Sequence, residues 1–139
     1  MQLPTGKTSQ IDFRYNPPQE VVDYANSLNH NPIKWCNKPE DALKNADVIV
    51  TDTWISMGME KDKETRIRDF DGWQLTKNLI ETGGAKSTWK FMHCLPRKKE
   101  EVDDDVFYDS KRSLVWMEAE NRKYTIMAVF ELMLNNLFK

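Results

Sequence analysis

Two short stretches carry residue types that could do chemistry. Residues 91–98 read FMHCLPRK and residues 51–58 read TDTWISMG. Each looks like an apolar strand that ends in polar or reactive groups. In open α/β sheets, ligands sit beyond the carboxyl ends of the strands. The two stretches are therefore expected to form two walls of one small-molecule site. At such an exit, Asp52 either holds a substrate ammonium group or serves as a cap or turn residue. Ser56 and Gly58 predict a tight loop with free backbone donors, suited to a carboxylate or phosphate.

Cys94 has two readings. It is a small apolar residue of a core, or it is a reactive thiol. Arg97, Lys98 and Lys99 follow it, and cations lower a thiol's pKa towards the reactive thiolate. Lys98 and Lys99 also read simply as a solvated surface patch. Pro96 pushes Leu95 away from helical geometry, so an extended course presenting backbone carbonyls is predicted there. His93 beside Cys94 raises metal binding or a Cys–His nucleophile pair. Neither C-x2–4-C nor H-x3–5-H spacing occurs, which argues against zinc. Adjacent strand residues point to opposite faces, which argues against His93 activating Cys94. No phosphate loop of the P-loop or dinucleotide type is present.

A third stretch, MEAENRKYT at residues 117–125, places Glu118, Glu120 and Arg122 where a last strand is expected to pass into a long helix. Glutamates near a helix start fit simple helix electrostatics. Arg122 does not fit, and so should have an anion to bind, either a neighbouring Glu or a ligand.

The elements that must position these groups alternate along the chain. NPPQEVVDYANSLN predicts a helix with Asn16 as cap and Pro17 at its first position. PIKWCN reads as a short strand and KPEDALKNA as a short helix. DVIVTDTW is a nearly continuous apolar run, as for a strand buried on both faces. KDKETRIRDFDGWQLTKNLIETGG predicts two helical pieces, broken at Asp71–Gly72 and stopped at Gly83–Gly84. TWKFMHCL is the next strand, EEVDDDVFYD an acidic turn or short helix, and SLVWM another strand. Residues 118–138 predict a long amphipathic helix, and MQL at the start a strand end. This alternation predicts an α/β domain with a parallel sheet.

Composition narrows the function classes. The 139 residues suffice for one domain with a core, and 40% are apolar and 30% charged. Twenty basic and 22 acidic residues give a net charge of −2, without the basic surplus of a nucleic-acid binder. No apolar run reaches the roughly 18 residues of a membrane span. Two cysteines without paired spacing point to a reducing compartment. The N-terminal stretch has neither an apolar signal core nor an Arg/Ser-rich transit pattern, so no targeting signal is expected in it.

Together, DTWISMG, HCLPRK, EEVDDDVFY and EAENRKYTIMAV closely resemble ornithine carbamoyltransferase, from about residue 39 to 132. HCLP with SMG is specific for the ornithine branch of the carbamoyltransferases. Residues 1–38 match more loosely. The resemblance implies a Rossmann-like, doubly wound parallel sheet in three α/β/α layers, with a long C-terminal helix. It implies transfer of a carbamoyl group from carbamoyl phosphate to L-ornithine, giving citrulline and phosphate, without metal or organic cofactor. The ornithine δ-ammonium, with a pKa near 10.4 like that of Lys, must lose a proton before it attacks. By resemblance, Asp52 and Cys94 hold and orient that amine. Ser56 and Met57 contact the amino-acid end of ornithine. His93, Cys94 and Leu95 border the carbamoyl group, and Arg122 stabilises negative charge on carbamoyl phosphate.

The resemblance also marks what this sequence lacks: a Ser-Thr-Arg-Thr loop, a His-Pro-x-Gln segment and a Gly-Asp-Gly-Asn-Asn-like loop. The expected domain, residues 1–139, is thus an ornithine-binding domain without the family's first strand. The strand around residues 47–51 is expected to lose a neighbour, and Ile126, Val129 and Met133 to stand exposed. The partners implied are L-ornithine and carbamoyl phosphate, with a homotrimer in the family and neither nucleic acid nor membrane. Three readings follow. The chain is a piece of an ordinary enzyme of arginine synthesis or the urea cycle, one half of an enzyme made of two polypeptides, or a non-catalytic truncated paralogue that binds other proteins. Intact Asp52, Cys94 and Arg122 favour the first. An animal-type member would work in the mitochondrial matrix, a bacterial one in the cytoplasm.

Overall fold

A computed structural model describes residues 15–28 and 33–137. The expected strand end at MQL lies outside these residues. The described elements run α1 Gln19–Ser27, α2 Pro39–Leu43, β1 Val48–Thr51, α3 Lys63–Asp69, α4 Lys77–Thr82, β2 Lys90–His93, α5 Asp104–Phe107 and α6 Val115–Leu137. A single 3-10 turn at Glu60–Asp62 leads into α3.

β1 and β2 pair in parallel, with Val48 opposite Lys90 and Thr51 opposite His93. The α/β fold with a parallel sheet and a long C-terminal helix is therefore present. Parallel neighbours need a crossover, and α3 and α4 supply it. The core lies against this pair. Ile49, Phe91, Ile80, Trp89, Val102, Val106 and Val115 are buried in one cluster. α4 starts at Thr76, whose side chain accepts the Leu79 N–H, and α5 at Asp103, whose side chain accepts the Val106 N–H. Both caps hold short helices that could not persist alone.

Several sequence expectations need correction. α1 begins at Gln19 after Pro18, and no side chain caps it, so Asn16 and Pro17 lie before the helix. PIKWCN contributes Cys36 to the interior but no strand. SLVWM contributes one bridge, Ser113 to Phe91, before α6 starts at Val115. There the backbone turns helical, and the Glu118 N–H reaches the Leu114 carbonyl. β1 is not buried on both faces: Ile49 is interior while Val48 and Val50 are half exposed. Among the described residues, β1 hydrogen-bonds only to β2. Ile126, Val129 and Met133 of α6 are exposed, as the family resemblance led us to expect.

The break at Asp71–Gly72 and the stop at Gly83–Gly84 fall where expected. Gly83 is small for lack of room, since its φ of −70° suits any residue. An added Cβ would sit 2.9 Å from the Leu43 Cβ and 2.9 Å from the Leu79 carbonyl oxygen. Gly83→Ala is expected to force α2 and α4 apart, at a cost of about 1–3 kcal/mol, as for overpacked interiors. Thermal unfolding followed by circular dichroism checks this.

Candidate active site

Register brings the two opening stretches together. Thr51 and His93 are paired, so the next residues, Asp52 and Cys94, leave the sheet side by side. The Cys94 thiol donates to Asp52 Oδ1 at 2.6 Å, and the same oxygen accepts the Thr53 N–H at 2.6 Å. Asp52 is thus both turn residue and thiol partner. Alternation then separates the neighbours: Cys94 is exposed, while His93 points inward and is buried.

His93 sits in a polar network centred on Glu101, and both side chains are fully buried. His93 Nε2 lies 3.1 Å from Glu101 Oε2, while His93 Nδ1 accepts the Leu95 N–H at 2.9 Å. With Nδ1 accepting, the ring proton is assigned to Nε2, which donates to Glu101. Glu101 Oε2 also takes the Lys98 N–H, and Oε1 takes the Thr53 hydroxyl and the Trp54 N–H. Burial alone would raise the Glu101 pKa. The bonds from His93, Lys98, Trp54 and Thr53 outweigh it, so the carboxyl sits below its ordinary value.

A cleft of about 790 Å³ opens beside Cys94, walled by His93, Cys94, Leu95, Tyr108, Glu118 and Arg122 among others. Glu118, in the first turn of α6, accepts the His93 N–H at 3.0 Å. Arg122 follows one helical turn later on the same face. Among the described residues the Arg122 side chain makes no ion pair or hydrogen bond. The cleft therefore carries the Glu118 carboxylate, the Cys94 thiol and an unpaired guanidinium, with the Asp52 carboxylate bonded to that thiol just outside it. Such a mixture suits a ligand bearing both an amine and an anion.

Residues 7–133 match a family described as aspartate/ornithine carbamoyltransferase, Asp/Orn binding domain. The chain belongs to this family. It is 58% identical over 95 residues to the mitochondrial ornithine carbamoyltransferase of Emericella nidulans, covering 68% of this chain and 26% of that protein. Its structure is similar to that of the Coccidioides immitis mitochondrial ornithine carbamoyltransferase. There the TM-score is 0.69 and the identity 41%, over 87% of this chain and 35% of the other. The anabolic ornithine carbamoyltransferase of Campylobacter jejuni superposes with a TM-score of 0.80 at 28% identity, over 98% of this chain and 43% of that one. This chain thus spans between about a quarter and somewhat under half of these relatives.

Against that carbamoyltransferase background, four sequence expectations change. The basic run does not activate Cys94. Arg97 turns away to the Val102 carbonyl, the Asp104 carboxylate and the Phe107 ring. Burial, the Asp52 bond and the negative charges of Asp52 and Glu118 push the thiol pKa up, so Cys94 is a neutral donor. Leu95 is not extended: its φ is 57° and the Leu95–Pro96 bond is cis. The Leu95 N–H bond to His93 Nδ1 closes this turn, which the Pro96 rule alone did not foresee. Arg122 is not at the helix start, because α6 already begins at Val115. The helix dipole fades within one turn, so the sign that Arg122 needs an anion is its unpaired place in the cleft.

The fourth change concerns the SMG loop. Its donors are not all free. The Gly58 N–H bonds to Glu60 Oε1 at 3.1 Å. The Glu60 carboxyl is held below its ordinary value by its own N–H and that of Gly58. Ser56 and Met57 are exposed, Met57 almost completely, and neither lines the cleft. His93, Cys94, Leu95 and Arg122 are brought together around the cleft, Asp52 joins them through Cys94, and Ser56 and Met57 are not brought in. Glu101 and Tyr108 were missed. Nothing local separates Glu101 from Glu100 in an acidic run, since its partners come from distant segments.

Proposed function

We propose that this chain is the ornithine-binding half of an ornithine carbamoyltransferase, which joins carbamoyl phosphate to L-ornithine to give citrulline and phosphate. The observation that carries the proposal is the Asp52–Cys94 contact at the mouth of the cleft that Arg122 walls. The named relatives act in the same direction, since they are ornithine carbamoyltransferases. In this reading residues 1–139 form the ornithine-binding domain.

The Asp52 carboxylate attracts the δ-ammonium and is the nearest base able to accept its proton. The Cys94 thiol, kept protonated, orients the amine without competing as a nucleophile. Attack forms the new N–C bond to the carbamoyl carbon as the C–O bond to phosphate breaks. Arg122 meets the negative charge that develops, an electrostatic contribution that needs no reorganisation. His93 and Leu95 shape the carbamoyl side through backbone, and the Glu101 network holds that backbone still. Ser56 and Met57 are assigned to the amino-acid end of ornithine by the family resemblance alone.

Two substrate halves must be held together for this displacement. The chain alone is therefore expected to make no citrulline from the two substrates. Colorimetric citrulline detection on a contaminant-free preparation checks this, and steady turnover by the chain alone would contradict it. Relatives named mitochondrial favour the mitochondrial matrix, with the cytoplasm as the alternative. A homotrimer is the assembly proposed for the complete enzyme.

A further inference from the structure

Trp54 lies two residues past Asp52, and charged side chains hold its backbone at both ends. Its N–H donates to Glu101 Oε1 at 3.0 Å, and its carbonyl accepts from Arg66 Nη1 at 3.0 Å. Glu101 belongs to the segment after β2, and Arg66 to α3. The Arg66 guanidinium also lies over the Tyr15 ring, 5.2 Å from its centroid. Tyr15 packs on Phe70 at 4.8 Å and donates its hydroxyl to Asp69 at 2.8 Å. The Trp54 indole stacks on the same Phe70 at 5.3 Å, and Trp54, Ile55 and Phe70 form a second buried cluster. The loop that carries Asp52 thus has one anchor on the sheet side and one on α3.

We propose that Arg66 is a positioning residue. By fixing the Trp54 carbonyl from α3, it sets the course of residues 52–55 and holds the Asp52 carboxylate against the Cys94 thiol. Without Arg66 the loop keeps its Glu101 bonds and the Trp54–Phe70 stack but loses the bond that fixes the Trp54 carbonyl, and Asp52, two residues away, can shift with that peptide. Arg suits the task because a planar guanidinium can donate to a carbonyl while lying flat on an aromatic ring. Lysine is a point charge and cannot do both. The functional weight of this latch rests on the reading above, in which Asp52 and Cys94 form the amine end of the ornithine site.

The test follows alkylation of Cys94 by iodoacetamide across pH, read by peptide mass on the whole 139-residue chain. Cys36 is buried and reports unfolding if it reacts. The groups facing the thiol are Asp52 from the loop after β1 and Glu118 from α6, with the Thr53 N–H opposing them. Arg66→Leu is expected to move the midpoint of the pH–rate profile to lower pH, with several-fold faster alkylation below the wild-type midpoint. Simple loosening of the surface would raise the plateau and leave the midpoint in place. Arg66→Lys keeps the charge and is expected to shift the midpoint partway. Asp52→Asn is expected to shift it with the latch intact. A wild-type midpoint in Arg66→Leu with Cys36 protected overturns the latch. If Arg66→Leu exposes Cys36, a wild-type midpoint in Arg66→Lys overturns it instead. An unmoved midpoint in Asp52→Asn overturns the Asp52–Cys94 contact itself, and with it the amine-site reading.

Discussion

Glu101→Leu is expected to lower the melting temperature by about 10 °C or more, the largest stability effect at this site. The fully buried carboxylate accepts from His93 Nε2, the Lys98 N–H, the Thr53 hydroxyl and the Trp54 N–H. Leucine leaves four donors without an acceptor, and each stranded buried group costs about 1–3 kcal/mol. Several such losses together are large against a total stability of about 5–15 kcal/mol. Glu101→Gln is expected to rescue little. One carboxylate oxygen faces two donors and so does the other, so the amide NH2 must face donors in either orientation.

The same network makes a pH signature. The native Glu101 pKa is depressed below its ordinary value of 4.5. Its stabilising contribution is therefore complete above about that value and is lost as pH falls through the lower native pKa. Denaturant midpoints measured from neutral pH down to about pH 3 check both statements. Wild-type stability should fall more steeply in acid than that of Glu101→Gln. Parallel acid curves, or a Glu101→Leu melting point within about 2 °C of wild type, would contradict the network.

In a completed enzyme, Asp52→Ala is expected to lower kcat/KM for ornithine by about 100-fold or more, the scale of a misplaced reacting group. Cys94→Ala is expected to act in the same direction more weakly. It removes the thiol that orients Asp52 Oδ1 and leaves the carboxylate itself. The dissociation constant of carbamoyl phosphate should stay within about twofold in both, since a group acting only on the amine leaves binding of the other substrate unchanged. Steady-state kinetics in ornithine, with calorimetric titration of carbamoyl phosphate, separates the two. Equal loss on both substrates would contradict the assigned roles.

How far the site could be read before the structure depended on where each signal lay. Asp52 and Cys94 were legible because a strand exit is a local pattern, and parallel register places equivalent exits side by side. Arg122 was singled out and does line the cleft, although the reason given, a place at a helix start, was mistaken. The helix boundary was placed three residues late, because SLVWM has strand-forming residues that the tertiary context overrode. PIKWCN failed likewise, its β-branched and aromatic residues finding no described partner strand. Glu101 and Arg66 were illegible. One sits in an acidic run and the other among charged helical residues, and each is identified only by a distant backbone group it bonds. The thiolate expectation failed because sequence adjacency of Arg97 to Cys94 is not spatial adjacency. Arg97 is drawn off by Val102 and Asp104.

The central claim is that these residues form a working ornithine half-site. A chimera tests it most directly, with residues 39–132 of this chain replacing the matching segment of the Coccidioides immitis enzyme, which the chain resembles in structure. Citrulline formation would be measured with both substrates present. The chimera is expected to make citrulline with ornithine saturation, and to lose that activity on Asp52→Ala. A folded chimera that binds carbamoyl phosphate yet makes no citrulline would contradict the claim and favour a non-catalytic binding role.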